Sequence, residues 1–148
     1  MEINAVTETD AEVISVILGE IEEYYGGEPV PGDLEQIRAA LFDENPVAHV
    51  LLARHEGEVL GFASYTRLWP AAGATASLYL KELYVRAPAR RRGVARALMA
   101  ALRDKAEALG CSRVEWTADS DNPPALALYK ALGVQPHGGK VFYRTTAK

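Results

Sequence analysis

Residues 83–99 read LYVRAPARRRGVARALM, and this stretch decides the fold. A strand-forming triplet, Leu83, Tyr84 and Val85, gives way to a proline, then to three consecutive arginines (Arg90, Arg91 and Arg92) and a glycine, Gly93. Beyond Gly93, apolar residues recur at Val94, Leu98, Leu102, Ala106 and Leu109, in steps of three and four that mark one face of a helix. Gly110 stands where a C-terminal cap glycine belongs. The apolar run Ser77 to Val85 before the arginines and the run Arg113 to Ala118 after the helix read as strands. Strand, helix and strand make a βαβ unit, so the two strands run parallel with a right-handed crossover.

Upstream of this unit the pattern is antiparallel. Val47 to Arg54 and Val59 to Thr66 are strands joined by the turn Glu56-Gly57-Glu58, and a loop from Arg67 to Ala76 leads to the strand at Ser77. At the start of the chain, Ile3 to Val6 suits a short strand. Thr9-Asp10-Ala11-Glu12 has the form of a capping box, with Val13, Ile14, Ile17, Leu18 and Ile21 at helical spacing after it. Pro31-Gly32-Asp33 opens a second helix carrying Leu34, Ile37 and Leu41. Downstream, Pro123 to Leu132 is a helix with Asn122 as its N-cap and prolines in its first turn, and Val141 to Thr145 reads as a last strand. The expectation is a single α/β (α+β) domain spanning residues 1–148. Its mixed, mostly antiparallel twisted sheet has a central parallel βαβ unit and flanking helices.

The arginines raise a question of charge. The N-terminus of a helix exposes unpaired N–H groups and about half a positive charge, so cations there oppose the dipole by a few tenths of a kcal/mol each. An anionic ligand reverses that balance. Glycine lets it approach the backbone, and arginine adds charge-assisted, fork-shaped hydrogen bonds. Placed directly after a strand, the constellation suits a phosphate cradle, although a solvated surface run accounts for the same three residues. The spacing is neither the Gly-Lys-Ser/Thr phosphate loop nor the glycine-rich dinucleotide fingerprint.

Composition bounds the function. Apolar residues make up 49% of the 148-residue chain and charged residues 24%, which places it among ordinary globular proteins. A formal net charge of −4 disfavours nucleic acid as a partner. The single cysteine, Cys111, fits a reducing, cytoplasmic setting, and the N-terminal residues do not read as a signal peptide. No apolar run is long enough to span a bilayer. His49, His55 and His137 have no ligand-like spacing with each other or with Cys111, so no metal is expected.

Two elements together resemble the GNAT superfamily of N-acetyltransferases. Arg90-x-x-Gly93-x-Ala95, directly after Leu83-Tyr84-Val85, is similar to the pyrophosphate motif of that superfamily, and Asn122-x-x-Ala125-x-x-Leu128-Tyr129-x-x-x-Gly133 is similar to its downstream helix. The resemblance spans nearly the whole chain and implies acetyl-coenzyme A as co-substrate. It implies that backbone groups of Leu83, Tyr84 and Val85 run beside the pantetheine arm. It further implies that N–H groups from Arg91 through Arg92, Gly93, Val94 and Ala95 to Arg96 hold the pyrophosphate. The arginine side chains, Arg90 included, would reach the ribose phosphate, and Asn122 would contact the coenzyme. Tyr129 takes the role of acid toward the leaving thiolate; without the resemblance it reads as a core aromatic on the stripe Ala125, Leu128, Leu132. Glu82 is the candidate base, with an exposed strand residue, or a water chain doing the same work, as the alternatives.

Within the superfamily, YLKELYV and YKALGV look like the spermidine/spermine (diamine) N-acetyltransferase branch, which carries two adjacent acids on this strand. Here the pair is Lys81-Glu82, so one acid is replaced by a base. Glu20, Glu22, Glu23 and Glu28, with Tyr24 and Tyr25 among them, and Trp69 in the loop before the strand are candidate walls of a site for a cationic amine. The expected partner is a small-molecule amine, a polyamine or thialysine-like amino acid. Protein lysines or N-termini, an aminoglycoside, or a non-catalytic acyl-CoA sensor are the alternatives. Relatives of this kind are often dimers and two-fold dimers are the common assembly, so a homodimer is expected.

Overall fold

The computed structural model describes residues 1–148. Five strands form one sheet in the order β1 (Glu2–Ala5), β2 (His49–His55), β3 (Glu58–Leu68), β4 (Ser77–Val85), β5 (Arg113–Trp116). The first four pair antiparallel with their neighbours, and β4 and β5 pair parallel across the helix between them, as the βαβ pattern requires. The parallel pair ends the sheet instead of lying in its middle. Val141 to Thr145, expected as a strand, has no regular structure. β-branched and aromatic residues suit a pleated, half-buried surface, but they make a strand only with a ladder partner and something to pack against.

Helices cover both faces of the sheet. On one face α1 (Ala11–Tyr24) and α2 (Leu34–Leu41) bury Ile14, Ile17, Ile21 and Ile37 against Val50, Leu52, Phe62 and Tyr84. On the other, α3 (Val94–Ala108) buries Val94, Leu98 and Leu102. The close approach of α3 depends on Gly61 in β3. A Cβ there would lie 2.7 Å from Val94 Cγ1 and 3.1 Å from Leu98 Cδ1, well inside contact distance. Because both faces are covered, Val50, Leu51, Leu52 and Ala53 are all buried, and β2 reads as a continuous apolar run instead of an alternating one.

The start of α1 differs from expectation. The capping pair is not Thr9 with Glu12: the Thr7 N–H donates to Asp10 Oδ2 at 2.9 Å, and a 3-10 turn at Glu8–Asp10 leads into the helix. Asp10 takes this place because its other carboxylate oxygen accepts from Arg54 Nη2 of β2 at 2.6 Å, tying the helix start to the sheet. At α2, which Pro31-Gly32-Asp33 opens as read from sequence, Asp33 is the cap, its Oδ1 accepting from the Gln36 N–H at 2.9 Å. No helix is long and apolar enough to cross a membrane.

The chain divides into two units, Met1–Trp116 and Thr117–Lys148. The second holds α4 (Pro123–Ala131), with Asn122 as N-cap and the prolines in its first turn, as the sequence predicts.

Candidate active site

The loop from β4 to α3 is shaped for an anion. After Val85 a 3-10 turn at Ala87–Ala89 buries Ala89, and the chain then passes through Arg91 at φ +65° and Gly93 at φ +78°. Left-handed Gly93 followed by the right-handed first turn of α3 turns successive N–H groups toward one concavity, the geometry of an anion nest. Gly93 is the N-cap of α3. No side chain caps this end and no acidic residue lies in the first turn, so the first N–H groups of the helix are left for an outside acceptor. A Cβ on Gly93 would meet nothing within 4 Å, so no neighbouring group crowds this residue. Arg91 and Arg92 beside it are exposed. These features fit a pyrophosphate.

Arg90 has a different surrounding. Its Nε donates to Val85 O at 3.1 Å, and its guanidinium lies 5.4 Å from the ring centroid of Tyr24 and 5.8 Å from that of Tyr84. The contact joins the loop to the last turn of α1. A second tie lies alongside: Glu20 of α1 accepts from Arg86 Nη2 at 2.7 Å and from Arg86 Nε at 3.2 Å. The hydrogen bond to Glu20 raises the Arg86 pKa further. Tyr84 OH donates to the same carboxylate at 3.4 Å, and burial, reinforced by the Glu20 charge, raises the Tyr84 pKa above the ordinary phenol value. Glu20, weighed from sequence as a wall for an amine, is thus engaged by Arg86.

β4 also offers backbone. Its ladder with β5 covers Ser77 to Leu80 only, while the strand continues to Val85. Its far half, with Leu83, Tyr84 and Val85, therefore lies beyond the β4–β5 ladder, the kind of edge along which an extended ligand adds like a strand.

On the α1 side of the sheet a cleft of about 430 Å³ opens beside the same half of β4. Its apolar lining is Leu18 and Ile21 of α1, Val30 of the following loop, and Phe62 of β3. Its polar lining is Glu22, Ser64, Lys81 and Glu82. Lys81 and Glu82 reach one cleft because the β3–β4 register shifts between Ser64 and Tyr65: Ser64 opposes Glu82, Tyr65 opposes Leu80, and Lys81 is the extra residue. In a regular strand neighbouring side chains point to opposite faces; a bulge re-aims one of them. Gly32 N–H donates to Ser15 O at 3.0 Å and holds the loop that carries Val30 against α1. A further hollow of about 270 Å³ shares Leu18, Gly32, Phe62 and Ser64 with this cleft.

Of the acceptor residues named from sequence, Glu22 and Glu82 line the cleft. Glu23, Tyr24 and Trp69 are not among its lining residues. Tyr24 stacks edge-on with Tyr25 and Tyr84, and the Trp69 indole N–H donates to Ala74 O at 2.8 Å within its own loop. Sequence reading missed Leu18, Ile21, Val30, Phe62 and Ser64 as lining. The one signal available was alternation along β3, since Phe62 and Ser64 stand opposite Tyr84 and Glu82. In the second unit, Asn122 Oδ1 accepts from the Ala125 N–H at 3.4 Å, and the Tyr129 carbonyl accepts from Leu132 and Val134 N–H at 3.1 Å, closing α4.

Comparison with known proteins gives the family of the chain. The sequence model of the Acetyltransferase (GNAT) family matches residues 15–134. An integron cassette protein from the mobile metagenome of V. cholerae is 33% identical and superposes with a TM-score of 0.84 over 99% of this chain and 92% of that one. An uncharacterized N-acetyltransferase of Bacillus subtilis (strain 168) is 28% identical over 97% of this chain and 95% of its own length. The L-ornithine N5-acetyltransferase of Arabidopsis thaliana is 32% identical over 77 residues, 52% of this chain and 34% of the plant protein, so the chain spans about a third of that relative's length.

Proposed function

The chain belongs to the acetyltransferase (GNAT) family, and on that premise we propose that it moves the acetyl group of acetyl-CoA onto the primary amine of a small cationic acceptor, a polyamine or thialysine-like amino acid. The observation that carries the proposal is the uncapped start of α3, with left-handed Gly93 facing open space and exposed Arg91 and Arg92 beside it. In this reading the N–H groups from Arg91 to Arg96 hold the pyrophosphate, the arginine side chains meet the remaining phosphate, the far half of β4 pairs with the pantetheine arm, and Asn122 contacts the coenzyme. The ornithine acetyltransferase among its relatives supports a small amine as acceptor.

The chemistry sets two proton problems. An alkyl ammonium has a pKa of about 10.4, so it must lose a proton before its nitrogen can attack. Glu82, at the cleft, takes that proton directly or through water. The nitrogen then bonds to the thioester carbonyl carbon and the carbon–sulfur bond breaks. The departing thiolate, whose thiol has a pKa of about 8.5, accepts a proton from the Tyr129 hydroxyl, and the excess proton still on the acetylated nitrogen passes through solvent to restore that hydroxyl. Products are the N-acetylated amine and the free thiol of coenzyme A.

Thiol release from acetyl-CoA, measured with and without small amines, tests the proposal. Release that requires an amine, with kcat lowered roughly a hundredfold in Tyr129→Phe while acetyl-CoA affinity is retained, is the expected result. Acetyl-CoA binding with no amine-dependent release contradicts transfer and leaves a coenzyme-binding module. An unchanged rate in Tyr129→Phe removes that residue from the mechanism.

A further inference from the structure

The charges lining the cleft narrow the acceptor further. This inference rests on the acetyl-transfer reading above. The lining presents two carboxylates, Glu22 and Glu82, and one ammonium, Lys81, around an apolar wall of Leu18, Ile21, Val30 and Phe62. A polyamine complements only the carboxylates. Its cationic groups would face Lys81, a like-charge contact that works against binding. The ligand that mirrors all three charges carries two ammonium groups and one carboxylate, joined by a short methylene stem. We infer that the acceptor is a diamino monocarboxylic acid of the ornithine or lysine type, with its carboxylate read by Lys81.

Four features of the structure support this. The β4 bulge at Lys81 brings the lysine into the cleft with Glu82, where a regular strand would turn it to the opposite face. Lys81 is exposed and takes part in none of the ion pairs of the protein, so its charge is available to a ligand. Glu20, the other acid nearby on α1, is spent on Arg86, which leaves Glu22 as the α1 carboxylate at the cleft. The cleft, at about 430 Å³, is within the range of small-molecule sites.

The test compares each amino acid with the diamine that lacks only its carboxylate: L-ornithine against putrescine and L-lysine against cadaverine, by kcat/KM with acetyl-CoA. The amino acids are expected to exceed their diamines by about tenfold or more, the size of a charge-assisted hydrogen bond gained and a repulsion avoided. In Lys81→Gln, kcat/KM for ornithine should fall and that for putrescine should rise, the change residing mainly in KM; Lys81→Arg should keep the wild-type preference. Diamines that match or exceed the amino acids in the wild type overturn the inference while leaving acetyl transfer intact. A ratio unmoved by Lys81→Gln overturns the role of Lys81. No thiol release with any of the four acceptors, nor with peptides or an aminoglycoside, overturns the acetyl-transfer reading itself and this inference with it.

Discussion

Asp10 accepts from two donors at once, the Thr7 N–H and the Arg54 guanidinium, and is 8% exposed. Burial alone would raise its pKa. The hydrogen bond from Thr7 and the bond and charge of Arg54 together outweigh burial and hold it below the usual aspartate value. A carboxylate whose folded pKa is lowered contributes stability above its unfolded pKa of about 3.9, and that contribution is lost as pH falls through the lower, folded value. Asp10→Asn is therefore expected to lower stability at pH 7 by about 1–3 kcal/mol, with the gap to wild type closing below roughly pH 4. Denaturant unfolding at both pH values checks this, and an equal gap at both would contradict it. Arg90 shows what residue-scale reading could not reach. The motif assigned all three arginines to one ligand, yet Arg90 contacts Tyr24 and Tyr84, rings that only the fold brings to it. Its partners are distant in the chain, and neither periodicity nor composition encodes such a contact.

Elements with strong periodicity were legible. The span of β4 is as read, and α3 and α4 are within a residue of it at each end, because proline, glycine and cap residues punctuate those ends. Two features escaped. The bulge between Ser64 and Tyr65 leaves no mark in composition, since it is a property of the pairing of two strands, yet it sets which side chains of β4 share the cleft. The C-terminal segment carries strand-forming residues without a ladder partner, which no single-segment reading can foresee. Gly61 lies between these cases. It marks a close approach of backbone and helix, and filling it should be costly: Gly61→Ala places a methyl 2.7 Å from Val94 Cγ1 and is expected to destabilise by about 1–3 kcal/mol. Restoration of stability by adding Val94→Ala would confirm the steric cause, and a neutral Gly61→Ala would show that α3 shifts freely.

At the scale of the molecule, net charge and site charge oppose each other. The chain carries −4 overall, while Arg90, Arg91, Arg92 and Arg96 crowd one loop and the first turn after it. Whole-chain charge argued against nucleic acid and the local field argued for a compact polyanion; the coenzyme itself was implied by the resemblance of the Arg90 and Asn122 motifs to the acetyltransferase family. Affinity for acetyl-CoA is accordingly expected to fall as salt is raised from low to physiological ionic strength, because exposed arginines are screened. The cleft was less legible than the loop before α3, since α1, the loop after it, β3 and β4 each give a few residues to the cleft, and those residues share no motif.

Calorimetric titration of acetyl-CoA into the wild type and Gly93→Glu, with circular dichroism to show that the variant is folded, tests whether the start of α3 holds the coenzyme. The cradle account predicts binding at one site per chain in the wild type and loss of that binding in Gly93→Glu, which puts a negative charge at the N-terminus of α3 where the pyrophosphate would sit. Absence of binding in the wild type, or equal affinity in a folded Gly93→Glu, would contradict it.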